Sequence, residues 1–212
     1  MAGAVWSHIL DAEPLAICEH DGDIVFCTHH RGIYRIGINS HEVWRRKPLG
    51  WDWLSDLPDG DVLVKLISVD DSIWAFSLGG GWVELEGSTG HVTRKGIHQF
   101  KSSTHDVWYG GDGNWLFSLS ENRMAWWNSE AESISVANVS GPIQDACMVE
   151  ETWFITGWRQ DMRWSASQFH SEPDIGVRAE IGNKIVNRNE GGFWVLDNRG
   201  QWSEFVIQGI SS

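Results

Sequence analysis

The sequence has 212 residues, including 15 Trp and only 2 Tyr, with 23 Gly and 5 Pro. Sixteen Lys and Arg against 29 Asp and Glu give a formal net charge of −13, which disfavours binding to nucleic acid and to anionic membranes. Three Cys without C-x-x-C spacing indicate reduced thiols rather than a disulfide framework. Because the N-terminus lacks a signal-peptide pattern and no apolar run reaches the ~18 residues of a membrane span, we expect a cytoplasmic protein.

One phrase recurs along the chain: an acidic or Gly turn, a β-branched or aromatic pair, and an alternating aromatic strand. The five copies are Asp23-Ile24-Val25-Phe26, Ser72-Ile73-Trp74-Ala75, Asp106-Val107-Trp108-Tyr109, Thr152-Trp153-Phe154-Ile155 and Gly192-Phe193-Trp194-Val195. Their apolar pairs start at residues 24, 73, 107, 153 and 193, so the copies fill the chain at about 42 residues each. That length is typical of a four-stranded propeller blade.

The repeat therefore predicts an all-β fold, a five-bladed β-propeller formed by a single domain over residues 1–212. The repeat units are approximately 11–48, 49–96, 97–137, 138–181, and 182–212 together with 1–10. Each unit divides into strands A to D, because runs rich in Ile, Val, Phe and Trp are bounded by Gly or Asp turns.

In chain order, the first unit predicts strands Leu15–Glu19, Ile24–Thr28, Gly32–Ile38 and Glu42–Arg46, and the second predicts Asp61–Val69, Ser72–Ser77, Trp82–Glu86 and Val92–Lys95. The fifth unit supplies strand A near Ile185, B at Phe193–Leu196 and C at Trp202–Ile207, and then the chain ends. Ala4-Val5-Trp6 resembles the D-strand sequence Glu42-Val43-Trp44, so we expect the N-terminal strand to join the last blade and close the ring.

Two residue types in the repeats are predicted to fill the core. Large aromatic residues at one repeated strand position pack between blades, which is the role we expect for Trp74, Trp108, Trp153 and Trp194. Cys18 and Cys147 each lie six residues before the apolar pair of their unit, so we expect both at equivalent inner-strand positions as small hydrophobic residues.

The phrase Gly22-Asp23-Ile24-Val25-Phe26, followed by Gly32-Ile33-Tyr34-Arg35-Ile36, resembles the repeats of small propellers. In size and Trp content the chain resembles the five-bladed tachylectin-type propellers, which implies a sugar ligand. The fuller repeat motif of that family is not found, so no sugar-binding residue is carried over. In size, acidity and expected cytoplasmic location the chain is also similar to accessory propellers encoded beside MoxR-type ATPases and von Willebrand A proteins.

The B-to-C and D-to-A loops lie at one end of each propeller blade, called the upper end here. Aromatic and Arg side chains in these loops are typical of binding hot spots. The candidate partner-binding residues are Trp51, Trp53, His29, His30, Arg31, Trp158 and Arg159. The alternative for Trp51 and Trp53 is packing beneath their own loop.

The A-to-B and C-to-D turns lie at the opposite, lower end. Acidic residues recur there, and the candidate acidic face comprises Asp21, Asp23, Asp70, Asp71, Asp106, Glu150, Glu151 and Glu190. Such a face would attract a basic partner or a cation. The alternative is that Asp and Gly are simply favourable turn residues.

No arrangement of residues in the sequence indicates catalysis. The G-x-S-x-G, P-loop and dinucleotide-binding patterns are missing, and the Asp-Gly-Asp fragments lack the full ligand series of a calcium loop. We therefore expect no enzyme activity, no cofactor and no metal. The sequence predicts a non-enzymatic protein-interaction scaffold, a subunit or accessory factor of a larger complex. The alternative is a lectin-like propeller that binds a carbohydrate or another small ligand.

Overall fold

The regular secondary structure of the described residues is almost entirely β-strand. The computed structural model describes residues 12–29, 31–51, 54, 58–188 and 192–207. Within the described residues the strands form five separate antiparallel sheets, four with four strands and one with three. In each sheet, strands that are consecutive in sequence are neighbours. Within the same residues no helix is long and apolar enough to cross a membrane.

The strands follow the chain in sheet order. The first sheet contains β1 (Pro14–His20), β2 (Asp23–Thr28), β3 (Gly32–Ile36) and β4 (Glu42–Arg46), and the second contains β5 (Leu63–Val69), β6 (Ser72–Ser77), β7 (Gly81–Glu86) and β8 (Val92–Ile97). The third contains β9 (Thr104–Tyr109), β10 (Asn114–Leu119), β11 (Arg123–Asn128) and β12 (Ser133–Asn138). The fourth contains β13 (Ile143–Val149), β14 (Thr152–Gly157), β15 (Gln160–Ser165) and β16 (Asp174–Val177), with a short 3-10 helix at Ala166–Gln168, and the fifth contains β17 (Gly182–Asn187), β18 (Phe193–Asp197) and β19 (Trp202–Glu204).

The chain divides into two compact units, residues 1–104 and 105–212. In the first unit, β1 lies beside β5, and the facing sides of the first two sheets enclose an apolar core. Strand β7 illustrates how the sequence builds it, because buried Val83 and Leu85 alternate with more exposed Trp82, Glu84 and Glu86. The period of two places one side of the strand in the core.

The core of the second unit is rich in tryptophan. Trp126 meets Trp153 and Trp164 edge to face, with ring centroids 6.5 and 5.6 Å apart. Edge-to-face contacts bring the positive ring edge to the negative ring face, so they stabilise the core beyond the area they bury. Strand β13 lies beside β17 in this unit, as β1 lies beside β5 in the other.

The strands predicted for the first, second and fifth units agree with the structure to within a few residues. The third copy of the repeat was placed one strand too early. Asp106-Val107-Trp108-Tyr109 belongs to the first strand of its sheet, β9, whereas the counterpart of the other copies is Asn114-Trp115-Leu116-Phe117 in β10. Both segments combine aromatic with aliphatic residues, so composition alone does not separate them.

The two Cys predicted to be equivalent occupy matching positions. Cys18 on β1 pairs with Val25, and Cys147 on β13 pairs with Phe154, in each case two residues before the last pair of the hairpin. All three Cys are free thiols. Of the four predicted core tryptophans, Trp74 and Trp153 are buried, whereas Trp108 and Trp194 are half-buried.

The predicted closing strand near Ala4 lies outside the described residues. In the fifth sheet β19 pairs with β18, and within the described residues no strand pairs with its other edge. Among the described strands, that edge of β19 therefore has no partner.

Candidate functional site

Trp158 and Arg159 form the turn at the upper end of the fourth sheet, between β14 and β15. The Trp158 side chain is 48% exposed. A Cβ placed on Gly141 would lie 2.5 Å from the Trp158 Cβ, so Gly is needed where the two chain segments meet. The backbone N–H of Trp158 donates to the Pro142 carbonyl at 3.1 Å. The exposed Trp158 ring is thus carried by a turn whose backbone is held by contacts with Gly141 and Pro142.

The residue after this turn, Gln160, is only 1% exposed. Its Oε1 accepts a hydrogen bond from the Ser140 backbone N–H at 3.2 Å and another from the Ser140 hydroxyl. Its Nε2 has no hydrogen-bond partner among the described residues. A buried amide donor without an acceptor is uncommon and costly, so this position at the base of the Trp158 turn is unusual.

A buried ion pair supports the same end of the sheet. Arg178 Nη1 lies 2.6 Å from Oδ2 of Asp161, which also accepts the Val206 backbone N–H at 2.8 Å. The Thr156 hydroxyl donates to Oδ1 of Asp161 at 2.8 Å. Burial raises the pKa of the Asp161 carboxyl, and the hydrogen bonds from Val206, Arg178 and Thr156 oppose that rise. The network ties β15 to the segment after β19.

The candidate residues in the first unit have different surroundings. His29 and Arg31 are exposed in the turn between β2 and β3, and the His29 backbone N–H donates to the Glu13 carbonyl at 3.1 Å. His30 and Trp53 lie outside the described residues. His29 and Arg31 therefore remain surface candidates, on a unit separate from that of Trp158.

Trp51 is not an exposed loop residue, which corrects the expectation from the sequence. Its side chain is 7% exposed and belongs to the core between the first two sheets. A Cβ on Gly81 would lie 2.7 Å from the Trp51 ring, so Gly81 leaves the space that the ring fills. Replacing Trp51 by Ala should therefore cost ~3–5 kcal/mol of unfolding free energy, and a near-neutral effect is not expected.

Most of the predicted acidic face lies in lower-end turns. Asp21, Asp70, Glu150 and Glu151 are exposed there and have a positive φ of 47 to 57°. Asp71 is an exposed member of the same turn as Asp70. These positions require the left-handed backbone region, which Asp tolerates better than most residues. Turn geometry therefore accounts for part of the acidic repetition.

Two predicted members of the acidic face do not fit that description. Asp23 is the first residue of β2, and its Oδ2 lies 2.7 Å from Nε of Arg35 in an ion pair. Asp106 lies within β9 rather than in a turn, because the third repeat was misplaced. Glu190 lies outside the described residues. In the described part of the chain, no group of three or more His, Cys, Asp or Glu side chains is placed to hold a metal ion.

The arrangement of the strands is similar to that of solved proteins, although the sequence itself has no match. No protein-family model and no curated protein matches the sequence. The WD40 β-propeller domain of Doa1 matches at a TM-score of 0.58 with 9% identity, over 88% of this chain and 61% of that one. The fold is of the β-propeller type. The sheets have the antiparallel form of propeller blades, with four strands in each of the first four sheets and three described strands in the fifth.

Two further solved structures are similar to this chain to a comparable degree. BamB from Moraxella catarrhalis matches at a TM-score of 0.59 with 12% identity, over 96% of this chain and 64% of that one. A streptogramin B lyase matches at 0.60 with 16% identity, over 95% of this chain and 71% of that one. The chain thus spans about two thirds of the length of these propellers. Since one of them is a lyase, the fold by itself does not exclude catalysis.

The sequence pointed to Trp158 and Arg159 but missed Gln160, Asp161 and Arg178. Gln160 and Asp161 follow the turn directly, but β15 also contains the polar residues Arg163 and Ser165, so the strand sequence contained no clear signal for them. Arg178 follows β16 and meets Asp161 only in the folded blade. Three features bear on function. They are the β-propeller type of fold, the exposed ring of Trp158, and the buried polar side chains of Gln160, Asp161 and Arg178 at the same end of the sheet.

Proposed function

We propose that this chain is a non-enzymatic protein-interaction module, a subunit or accessory factor of a larger complex, and that Trp158 is a main anchor for its partner. The observation that carries the proposal is the exposure of this ring on a fixed turn. Tryptophan and arginine are the residues most enriched among binding hot spots, and here Trp158 and Arg159 are neighbours. Because Gly141 and Pro142 hold the turn, little conformational entropy is lost on binding.

The upper-end turns favour one asymmetric partner over a repeated sugar. The turns between second and third strands read Leu78-Gly79-Gly80 in the second blade, Ser120-Glu121-Asn122 in the third and Asn198-Arg199-Gly200-Gln201 in the fifth. None of these three turns carries an aromatic residue, unlike Trp158 in the fourth. A lectin-like propeller, the rival function, needs matching aromatic and polar residues in several blades.

The remaining properties of the proposed module follow from charge and turn chemistry. A net charge of −13 disfavours nucleic acid and membrane partners and suits a cytoplasmic protein. The exposed acids of the lower-end turns are a second candidate surface, suited to a basic segment of a partner. No metal or cofactor is part of the proposal.

We further propose that the five blades form one closed ring. The edge of β19 is the position for a fourth strand, and the N-terminal segment Ala4–Ile9 is the candidate that the sequence offers. Pairing would protect an edge that otherwise invites aggregation. The ring would make residues 1–212 a single domain.

The test of the proposed function is a quantitative pull-down from native extract with three forms of the protein. Wild type and Ile175→Ala should retain the same proteins, whereas Trp158→Ala should lose them. Ile175 is the matched control because it is an exposed apolar residue at 41%, on the outer strand β16 of the same blade. Gly141→Ala, which displaces Trp158 without removing it, should weaken retention as well.

A glycan array with the same variants tests the rival function. The interaction module predicts no glycan binder and a partner that depends on Trp158. Binding of one defined sugar at several equivalent blades, unaffected by Trp158→Ala, would overturn the proposal in favour of a lectin.

A further inference from the structure

The exposed apolar surface at Trp158 extends to the outer strand of the fourth sheet. Val177, the last residue of β16, pairs with Gln160 and is 66% exposed. Cross-strand partners project to the same side of a sheet, and the Gln160 side chain reaches Ser140 on that side. The Trp158 Cβ lies against Gly141, the residue after Ser140. Trp158 and Val177 are therefore two exposed apolar side chains on one side of the upper end.

Arg159 brings a positive charge to this surface. Its backbone carbonyl accepts the Arg178 backbone N–H at 2.9 Å, so it lies where the pairing of β15 with β16 ends, next to Val177. Its side chain is exposed and forms no hydrogen bond or ion pair with another described residue. The guanidinium is therefore available to an acidic group from outside the chain.

The described carboxylates near this end of the sheet have other partners. Asp161 pairs with Arg178 at 2.6 Å, and Glu180 pairs with Arg199 at 2.8 Å. Both oxygens of Asp145 accept N–H hydrogen bonds. In a chain of net charge −13, the upper end of the fourth sheet thus presents an uncompensated cation beside apolar side chains.

The undescribed residues of the second unit are 189–191 and 208–212, and among them only Glu190 has an acidic side chain. Glu190 belongs to a predicted lower-end turn, at the opposite end from Arg159. The acidic side chain that would pair with Arg159 is therefore sought on a partner.

On the basis of the proposed function, we infer that the partner at Trp158 is a protein segment with an Asp or Glu within two residues of a large apolar residue. The apolar side chain packs against Trp158 and Val177. The carboxylate accepts hydrogen bonds from Arg159, whose planar guanidinium matches its geometry. The apolar contact also excludes water from the ion pair, which makes it stronger than a pair in open solvent.

The experiment is a selection of phage-displayed random dodecapeptides on the full chain, after depletion on Trp158→Ala. Because the peptide C-terminus is fused to the coat protein, only side chains can supply a carboxylate. The retained peptides should carry Asp or Glu within two residues of Leu, Ile, Phe or Trp. The best of them, synthesised with acetylated and amidated ends, is then titrated by calorimetry.

Arg159→Glu should weaken the binding of this peptide by about tenfold or more, because an attractive charge becomes a repulsive one. The same variant should bind the peptide with Lys in place of its acidic residues more tightly than wild type does. Lys184→Glu is the matched control, since Lys184 is an exposed cation on β17 of the same unit, and it should change the affinity by less than about twofold. Thermal unfolding checks that both variants are folded.

The outcomes separate this inference from the proposed function. Peptides that depend on Trp158 but lack acidic residues would overturn the inference and leave the proposed function standing. Selected peptides rich in Lys or Arg, equal losses from Arg159→Glu and Lys184→Glu, or no peptide that depends on Trp158 would overturn it as well, and in the last case the pull-down decides whether the proposed function also fails. Removal of residues 208–212 should leave the affinity unchanged. A gain of about tenfold would assign the site to the chain's own terminus and contradict the inference.

Discussion

Tryptophan has two different structural roles in this protein, as a buried core residue and as an exposed turn residue. Trp115, Trp126, Trp153 and Trp164 are fully buried, whereas Trp158 stands on a turn. The sequence analysis assigned Trp158 to an upper-end loop, and the ring is exposed there. Trp51 also lies between strands, yet it enters the core, because Gly81 on a distant strand leaves room for its ring. The sequence around Trp51 does not indicate this contact, because Gly81 is far away in the chain.

The thiols provide a prediction at the same scale. Burial raises the pKa of Cys18 from 9.0 to about 11 and that of Cys147 by the same amount. Since the thiolate is the reactive form, both should react with iodoacetamide at pH 8 about a hundredfold more slowly in the folded protein than in urea. Mass spectrometry of timed samples measures the rates.

Burial also raises the pKa of Cys27, which is nearly inaccessible, so it should stay unmodified and serve as the internal control. The rates for Cys18 and Cys147 should rise with pH up to about 11. Rapid alkylation of either at pH 8 in the folded protein would contradict the inner-strand placement.

At the scale of strands and blades, hydrophobic alternation and turn residues predicted most of the architecture. The third sheet is the exception, because β9 carries the apolar pair Val107-Trp108 that elsewhere marks a second strand. With Trp115 as the counterpart, the second strands begin at residues 23, 72, 114, 152 and 193, a more even series than the one inferred from the sequence. A spacing as short as 34 residues was the sign of the error.

The ion pair between Asp161 and Arg178 leads to a prediction about the stability of the fourth sheet. Arg178→Met should lower the free energy of unfolding by ~3–5 kcal/mol, because it leaves a buried carboxylate uncompensated. Urea unfolding followed by tryptophan fluorescence measures the loss. At acid pH the loss should shrink, since Asp161 can then take up a proton.

Arg159→Met is the matched control, because the Arg159 side chain is exposed, and it should change stability by no more than ~0.5 kcal/mol. Adding Asp161→Asn to Arg178→Met should cost less than the sum of the two single changes. Equal effects of Arg178→Met and Arg159→Met would show that the network contributes little to stability.

At the scale of the whole molecule, the recurring phrase and the length of the repeat predicted an all-β propeller, and the likeness to solved propellers agrees with it. Function was less accessible, because binding depends on loops that differ from blade to blade. Buried polar groups such as Gln160 and Arg178 interrupt the apolar pattern without indicating their partners. Closure of five blades into one ring stays a proposal that rests on the edge of β19, with which no described strand pairs, and on the N-terminal sequence.

Ring closure is tested most directly by deleting residues 1–10 and measuring soluble yield and oligomeric state by size-exclusion chromatography. Deletion of residues 1–3, which spares Ala4–Ile9, is the matched control. We expect the shorter deletion to remain monomeric and the longer one to aggregate, because it opens a sheet edge beside apolar surface. A ten-residue deletion that stays monomeric and melts like the full chain would contradict a ring closed by the N-terminal strand.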